Sequence, residues 1–182
     1  MAPRTREVSG ARPGARGSLS HLDSRGRARM VDVSAKSVTR RESIARAEVH
    51  MAKATAAQIS EGRLSKGDVL ATARIAGIQA AKRTHEWIPL AHPLSLDAIR
   101  VELSPDAARG CVRIEVRVLA HARTGVEMEA LVAAAAAGLT IYDMCKSVDR
   151  GITLERVRLV RKSGGKSGTW LRRGEGRVGR AR

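Results

Sequence analysis

The chain has 182 residues and a formal net charge of +16, which is enough length for one domain with flanking segments. Its only aromatic side chains are Trp87, Tyr142 and Trp170, so a core must be built from alanine and aliphatic residues. The same scarcity argues against a module that binds nucleic acid by stacking bases on aromatic rings.

The positive charge is concentrated at the two ends of the chain. Residues 1–29 carry seven Arg against two acidic residues, and residues 171–182 carry five Arg against one. Neither end has apolar periodicity. We therefore predict a disordered Arg/Gly-rich extension over 1–29, one folded domain over 30–170 and a basic disordered tail over 171–182. The body keeps a net charge of +7, which favours an anionic ligand.

Cysteine usage and hydropathy bear on the cellular compartment. Cys111 and Cys145 form no CxxC motif and no metal-ligand spacing, which predicts a reduced cytoplasmic protein without a metal site. The N-terminus lacks the apolar segment of a secretory signal. The longest uncharged run, residues 130–142, is too short to span a bilayer, so we predict no membrane partner.

The first half of the body predicts one strand and two helices. Residues 45–51 alternate loosely, as in a strand, and residues 55–61 form a short helix. Ser65 and Asp68 have the spacing of a capping box, which predicts a second helix from Ser65 to Lys82.

A rigid turn and a hairpin follow. Pro89 and Pro93 bracket a segment that should be a turn. Residues 98–103 and 111–119 alternate between apolar and polar side chains, which predicts an antiparallel hairpin with one solvent-exposed face.

The last part of the body predicts a long helix, a strand and a loop. Thr124 and Glu127 have capping-box spacing before a helix over about 125–148, whose apolar circumference is typical of a buried helix. Residues 152–160 alternate as a strand, and residues 162–168 form a Gly/Ser/Lys loop. Antiparallel strands with helices on one face make an α+β sandwich.

Three segments carry candidate chemistry, each with a simpler alternative. Lys66 lies at a predicted helix start, where backbone N–H groups attract phosphate, but it could be a solvated lysine. His92, on the proline-bounded turn, could act as acid, base or ligand contact, or bond only to backbone. Asp143 and Lys146 share one helix face and could exchange protons with a substrate, or form a plain ion pair.

The long helix separates two further candidates. Asp143 follows Glu129 by fourteen positions, which places them about 21 Å apart on a straight helix. They can serve one site only through a long ligand or a second subunit. In the loop 162–168, Lys162 and Lys166 join backbone donors in a composition suited to holding phosphate, although mobile linkers have the same composition.

Seven segments in order then resemble one family. They are MVDVSAK at 30–36, KGDV at 66–69, ARIAGIQAAKRT at 73–84, IPLAHPL at 88–94, TGVEMEAL at 124–131, LTIYDMCK at 139–146 and KSGGKSG at 162–168. They resemble the cyclic pyranopterin monophosphate synthases, the molybdenum cofactor biosynthesis protein C family. The resemblance covers about residues 30 to 170 and leaves the two Arg-rich ends outside.

The resemblance implies a fold, an assembly and a reaction. The fold is α+β, a ferredoxin-like antiparallel sheet with helices packed on one face. The assembly is a homohexamer, a trimer of dimers, with sites at subunit interfaces. The enzyme is a lyase that converts 3′,8-cyclo-7,8-dihydroguanosine 5′-triphosphate to cyclic pyranopterin monophosphate and diphosphate. Since this requires proton transfers but no oxidation, we predict no cofactor.

The resemblance also implies residue roles. Asp143 matches the catalytic acid/base, and Lys146 and Lys66 match two supporting lysines. The segments that match substrate contacts are Leu90, Ala91, His92, Met128 and Glu129. Lys162 and Lys166 are our own candidates for binding the triphosphate. The family usually has Cys at the position of Ala91, which puts activity in doubt if that thiol contributes.

The basic ends also suit a non-enzymatic alternative. A basic homo-oligomeric module could bind nucleotides or RNA through its Arg-rich ends, and a catalytically weak scaffold is a third possibility. Basic ends of this kind are common in proteins without such a role, so we predict no specific nucleic-acid partner.

Overall fold

A computed structural model of the chain describes residues 25–175. By their internal contacts the residues fall into an N-terminal unit that ends at Val31 and a body that starts at Asp32. The helices and strands of the body are β1 Thr39–His50, α1 Lys53–Ser60, α2 Val69–Lys82, α3 Thr84–Trp87, β2 Ala98–Asp106, β3 Cys111–Ala122, α4 Glu127–Cys145, β4 Thr153–Ser163 and β5 Trp170–Leu171.

The strands form an antiparallel sheet in the order β2-β3-β1-β4-β5. The central strand β1 pairs with β3 along its whole length, from Thr39 opposite Ala122 to His50 opposite Cys111. On its other side β1 pairs with β4, with register shifts that mark bulges. Together with the helices between the strands, this order is the ferredoxin-like arrangement, so the predicted α+β fold class is confirmed.

One face of the sheet packs against α4, which in turn packs against α2. The alternation predicted for 111–119 is confirmed, since Val112, Ile114, Val116 and Val118 are buried while the residues between them are mostly more exposed. Small residues let the two helices approach closely. A Cβ added at Gly77 would lie 3.1 Å from the main-chain oxygen of Ala133, so this crossing requires glycine or a shift of the helices.

The opposite face of the sheet carries charged side chains in ion pairs. Glu42 is buried on β1 and accepts hydrogen bonds from Arg40 and Arg161. Arg46 bonds to Glu115 at 2.7 Å. The solvent-exposed face predicted for the hairpin is therefore polar, but much of it is only half exposed because the charged side chains cover each other.

The starts of two elements differ from prediction. Strand β1 begins at Thr39 rather than at residue 45, because Glu42 finds its arginine partners on β4 and beside it on β1. Helix α2 begins at Val69 rather than at Ser65. Asp68 is itself the N-cap, since its Oδ1 accepts the N–H of Ala71 at 2.8 Å.

The capping box predicted at Thr124 and Glu127 is wrong. Helix α4 begins at Glu127 after Val126, which makes no side-chain cap. The Glu127 carboxylate instead lies 3.4 Å from Nζ of Lys162. The helix ends at Cys145, three residues before the predicted end. Sequence patterns also missed the single-turn helix α3 and the two-residue strand β5.

By length and composition alone, helix α4 could cross a membrane. Its uncharged run, residues 130–142, is shorter than the roughly 20 residues that a membrane-spanning helix needs. More than half of the apolar window is buried inside the fold, where it meets the sheet and α2. Helix α4 is the core helix of the domain.

The chain ends lie partly outside the described residues. Of the extension predicted over 1–29, residues 1–24 are not described, and of the tail predicted over 171–182, residues 176–182 are not. Within the described part, Leu171 of β5 pairs with Arg161 of β4, and Glu175 accepts from Arg46 at 3.0 Å and from Arg158.

Candidate active site

The three residues predicted to be catalytic meet at the C-terminal end of α4. Lys146 lies one turn beyond Asp143, and its Nζ donates to Asp143 Oδ1 at 2.7 Å. Lys66 comes from the turn before α2, and its Nζ donates to the main-chain oxygen of Asp143 at 3.0 Å. The start of α2 thus lies beside the end of α4. We call Asp143, Lys146 and Lys66 the Asp143 cluster.

Within the cluster, Asp143 and Lys146 hold each other in their charged forms. The hydrogen bond from Lys146 lowers the pKa of Asp143, and the charges of Lys146 and Lys66 lower it further. The same hydrogen bond and the Asp143 charge raise the pKa of Lys146. At neutral pH the carboxylate can accept a proton, and the ammonium can donate one or bind an anion.

The ion pair between Asp143 and Lys146 contributes little to the stability of the fold. The side chains of Asp143 and Lys146 are 66% and 51% exposed, so water screens their attraction. Exposed pairs of this kind contribute little to stability. The cluster is therefore accessible to a ligand without loss of the fold.

An open pocket of about 440 Å³ adjoins Asp143 in the groove between α2 and α4. Its lining residues are Ala76, Gln79, Ala80, Arg83, Trp87, Ala136, Leu139, Thr140 and Asp143. Sequence reasoning did not single out Gln79 and Arg83. Both lie in the matched segment 73–84 and are four residues apart, which puts them on one helix face. That spacing is the signal that could have indicated them.

Glu129 lies near the other end of α4 and is only 4% exposed. Burial raises its pKa to about 7, and the neighbouring Glu127 carboxylate adds to the rise. A carboxyl group that titrates near neutral pH can act as both acid and base. The resemblance indicated Glu129 as a substrate contact but not its raised pKa. An acidic residue within an apolar helix is the sequence feature that could have indicated it. Met128, beside it, is exposed.

The turn that carries Leu90, Ala91 and His92 is confirmed as irregular structure, and all three residues are half-buried. Ala91 donates its N–H to the carbonyl oxygen of Ile88 at 2.9 Å. Ile88 packs against Ala80 and side chains of α4. This contact positions the turn beside the N-terminal half of α4.

The Gly/Ser/Lys loop reaches the N-terminal end of α4. Strand β4 extends to Ser163 rather than ending at residue 160 as predicted, so Lys162 lies in the strand and not in the loop. Its Nζ donates to Ser167 Oγ at 2.9 Å and also lies near Glu127, while Lys166 in the loop is exposed. Gly164 has φ of 99°, and a Cβ there would lie 2.1 Å from the main-chain oxygen of Arg40. The loop therefore folds closely against β1 and needs glycine at this point.

The candidate residues thus form two groups rather than one. Lys66, Asp143 and Lys146 lie at the C-terminal end of α4, and Glu129 and Lys162 belong to its N-terminal end. Since the helix is continuous between them, Glu129 and Asp143 are about 21 Å apart. A single chain does not bring the two groups to one small reacting centre.

Known proteins resemble this chain over most of its length. The MoaC family profile matches residues 30–165. A cyclic pyranopterin monophosphate synthase of Thermomicrobium roseum is 55% identical over 154 residues, which cover 85% of this chain and 93% of that protein. Its namesake in Pelotomaculum thermopropionicum is 56% identical over 157 residues, covering 86% and 92%. That of Chloroflexus aurantiacus is 54% identical over 158 residues, covering 87% and 97%. The chain belongs to the MoaC family.

Proposed function

We propose that this chain is a cyclic pyranopterin monophosphate synthase, a lyase of molybdenum cofactor biosynthesis. It converts 3′,8-cyclo-7,8-dihydroguanosine 5′-triphosphate to cyclic pyranopterin monophosphate and diphosphate. The observation that carries the proposal is the Asp143 cluster, in a chain at least 54% identical to proteins of that name.

The charge states of the cluster suit this chemistry. Rearranging the purine and ribose skeleton requires proton transfers without oxidation, so acid–base side chains suffice and no redox cofactor is needed. The Asp143 carboxylate accepts a proton, and the Lys146 ammonium supplies one. Lys66 and Lys146 also offset negative charge on the triphosphate. The pairing sets these starting charge states, because it lowers the pKa of Asp143 and raises that of Lys146. The proton-transfer roles themselves rest on the resemblance to the family.

The substrate-binding residues extend to the other end of α4. They are Leu90, Ala91, His92, Met128 and Glu129, with Lys162 and Lys166 for phosphate. Glu129, whose pKa is raised to about 7, is a second acid–base group. Since Ala91 has no thiol, its contact is made by the main chain, and because its N–H already bonds to Ile88, the carbonyl oxygen is the available group.

A homohexamer, a trimer of dimers, completes the site. The distance of about 21 Å between Glu129 and Asp143 supports this assembly, because a second subunit can bring a Glu129 to another subunit's Asp143. Exposed apolar side chains near the pocket, Ile75, Trp87 and Leu139, also favour a covered surface. The enzyme works in the cytoplasm, where its two buried free cysteines stay reduced.

The decisive experiment uses the purified full-length chain and the cyclised triphosphate. We expect diphosphate and the pterin product to appear in equal amounts without an added redox cofactor. A folded oligomeric chain that forms neither product would refute the proposed activity and favour the scaffold alternative.

The strong positive charge supports the second candidate, a basic nucleotide- or RNA-binding module. A chain lacking residues 1–29 and 176–182 separates the two functions. The C-terminal cut follows Glu175 because that carboxylate bonds to Arg46 and Arg158. As an enzyme, the shortened chain keeps its turnover. The binding module would be favoured if the shortened chain lost RNA binding and neither the full-length nor the shortened chain turned over the cyclised triphosphate.

A further inference from the structure

A cluster of three potential metal ligands lies on the charged face of the sheet, opposite the face that packs against α4. His50 ends β1 and is paired directly opposite Cys111, the first residue of β3. Glu48 lies two residues before His50 and therefore points to the same face. The ligand atoms of the three side chains all lie within 4.8 Å of one another, and His50 Nε2 is 3.2 Å from Glu48 Oε2.

These distances are close to those of a tetrahedral metal centre. Zinc binds imidazole nitrogen and carboxylate oxygen at about 2.0–2.2 Å and thiolate sulfur at about 2.3 Å. In a tetrahedron such bonds place neighbouring ligand atoms roughly 3.3–3.8 Å apart. The Glu48–His50 distance of 3.2 Å is close to this range, and the thiol needs a side-chain adjustment of at most about 1.5 Å.

We propose that Glu48, His50 and Cys111 form a site for a divalent transition metal of the zinc type, with water as the fourth ligand. The mixed nitrogen, oxygen and sulfur donors favour Zn²⁺ over Mg²⁺ or Ca²⁺, which prefer oxygen alone. On binding, the Cys111 thiol releases its proton to solvent and the imidazole binds in its neutral form. The thiolate and the Glu48 carboxylate then balance the charge of the ion.

Arginines near Glu48 compete for its carboxylate but do not close the site. Arg156 and Arg158 lie 3.3 and 3.6 Å from Glu48, which are long distances for ion pairs. Arg158 has a closer partner in Glu175, and the exposed Arg156 side chain can turn into solvent.

Access is from the side of His50, whose side chain is 35% exposed, whereas Cys111 is 4% exposed. A metal here would cross-link the end of β1 to the start of β3, beside the bond from the Met51 N–H to the Gly110 carbonyl at 2.9 Å. Binding to the folded chain would raise its thermal stability.

Cobalt(II) is the probe for this site, because its absorption reports both a thiolate ligand and tetrahedral geometry. The full chain, free of any affinity tag, reduced and stripped of metal, is titrated with Co²⁺. We expect one equivalent per chain, with a thiolate charge-transfer band and strong visible bands that Zn²⁺ abolishes. Zn²⁺ should also raise Tm. Absence of the thiolate band would overturn the proposal.

Variants test the ligands one by one. Cys111→Ser should abolish the charge-transfer band, and the matched control Cys145→Ala should keep it. Since Cys111 is buried, His50→Gln and Glu48→Gln provide a second test with less risk to folding. Each should weaken Co²⁺ binding about tenfold or more at an unchanged circular dichroism spectrum, whereas His85→Gln should not. Unchanged affinity in either ligand variant would show that the site does not exist as described.

Discussion

The two ends of α4 use carboxyl groups in opposite ways. At the C-terminal end Asp143 is exposed, and a hydrogen bond from Lys146 lowers its pKa. At the N-terminal end Glu129 is buried, and loss of solvation raises its pKa to about 7. One group is held ionised by a partner, while the other titrates near neutral pH because water is excluded.

The opposite pKa shifts indicate that Asp143 and Glu129 have different roles in the proposed reaction. A carboxylate that stays ionised is a proton acceptor, whereas a carboxyl near its midpoint can give or take a proton as the reaction proceeds. Since one helix separates Glu129 from Asp143 by about 21 Å, both can act on one substrate only if the substrate is long enough to reach both or if subunits share a site.

The largest expected effect tests the exposed end. Asp143→Asn removes the proton acceptor but keeps the shape of the side chain, so turnover of the cyclised triphosphate should fall by about 10²- to 10⁴-fold. Lys66→Ala should lower turnover as well, because it removes a cation from the same cluster. Steady-state kinetics measures both changes.

The matched control for Lys66→Ala is Lys53→Ala, which removes an exposed lysine at the start of α1. It should leave turnover unchanged. Normal rates in Asp143→Asn and Lys66→Ala would exclude the Asp143 cluster from catalysis. The difference in pKa between Asp143 and Glu129 would then have no role in the reaction.

A smaller effect tests the buried end. The pKa of Glu129 is about 7 in the folded chain against its usual 4.5, so the folded state retains a proton that the unfolded state releases between these values. The free energy of unfolding must therefore fall as pH rises from about 4.5 to about 7, by up to about 3 kcal/mol. Glu129→Gln cannot ionise and should remove this fall.

Denaturant unfolding at pH 5 and pH 8 measures the difference for each protein. The wild type should lose more stability between the two pH values than Glu129→Gln does. Glu127→Gln is the control, because the Glu127 side chain is more exposed than that of Glu129. Removing the Glu127 carboxylate should change the pH dependence of stability far less. An identical pH dependence for wild type and Glu129→Gln would mean that Glu129 is solvated in the folded protein.

The smallest effect on stability concerns the loop at the same helix end. Lys162→Ala removes the partly exposed pair with Glu127, which should cost less than about 1 kcal/mol. If Lys162 binds phosphate, KM for the triphosphate should rise about tenfold through loss of a charged hydrogen bond. Denaturant unfolding and steady-state kinetics separate the two effects.

Lys166→Ala is the companion variant, because this lysine is exposed. It should raise KM without a measurable change in stability. If neither lysine variant changes KM, the loop has no part in phosphate binding, and the N-terminal end of α4 contributes only Met128 and Glu129.

Local patterns predicted those features that depend on neighbouring residues in the chain. The three-residue spacing of Asp143 and Lys146 indicated their contact, and the alternation over 111–119 indicated which side chains of β3 are buried. The ferredoxin-like topology came from the resemblance to a family, not from these patterns. The early start of β1 escaped detection because Glu42 is stabilised by Arg161, which is distant in sequence.

The sequence by itself determined the family, the α+β class and the residues offered for catalysis, because these depend on residue types and short spacings. Only the tertiary structure decided how those residues are combined. It brought Lys66 onto Asp143 across 77 positions and placed Glu129 where burial raises its pKa to about 7. It also set His50 opposite Cys111, with Glu48 beside them on the same face. Distance, desolvation and strand register all arise from packing between remote segments, so no local pattern encodes them.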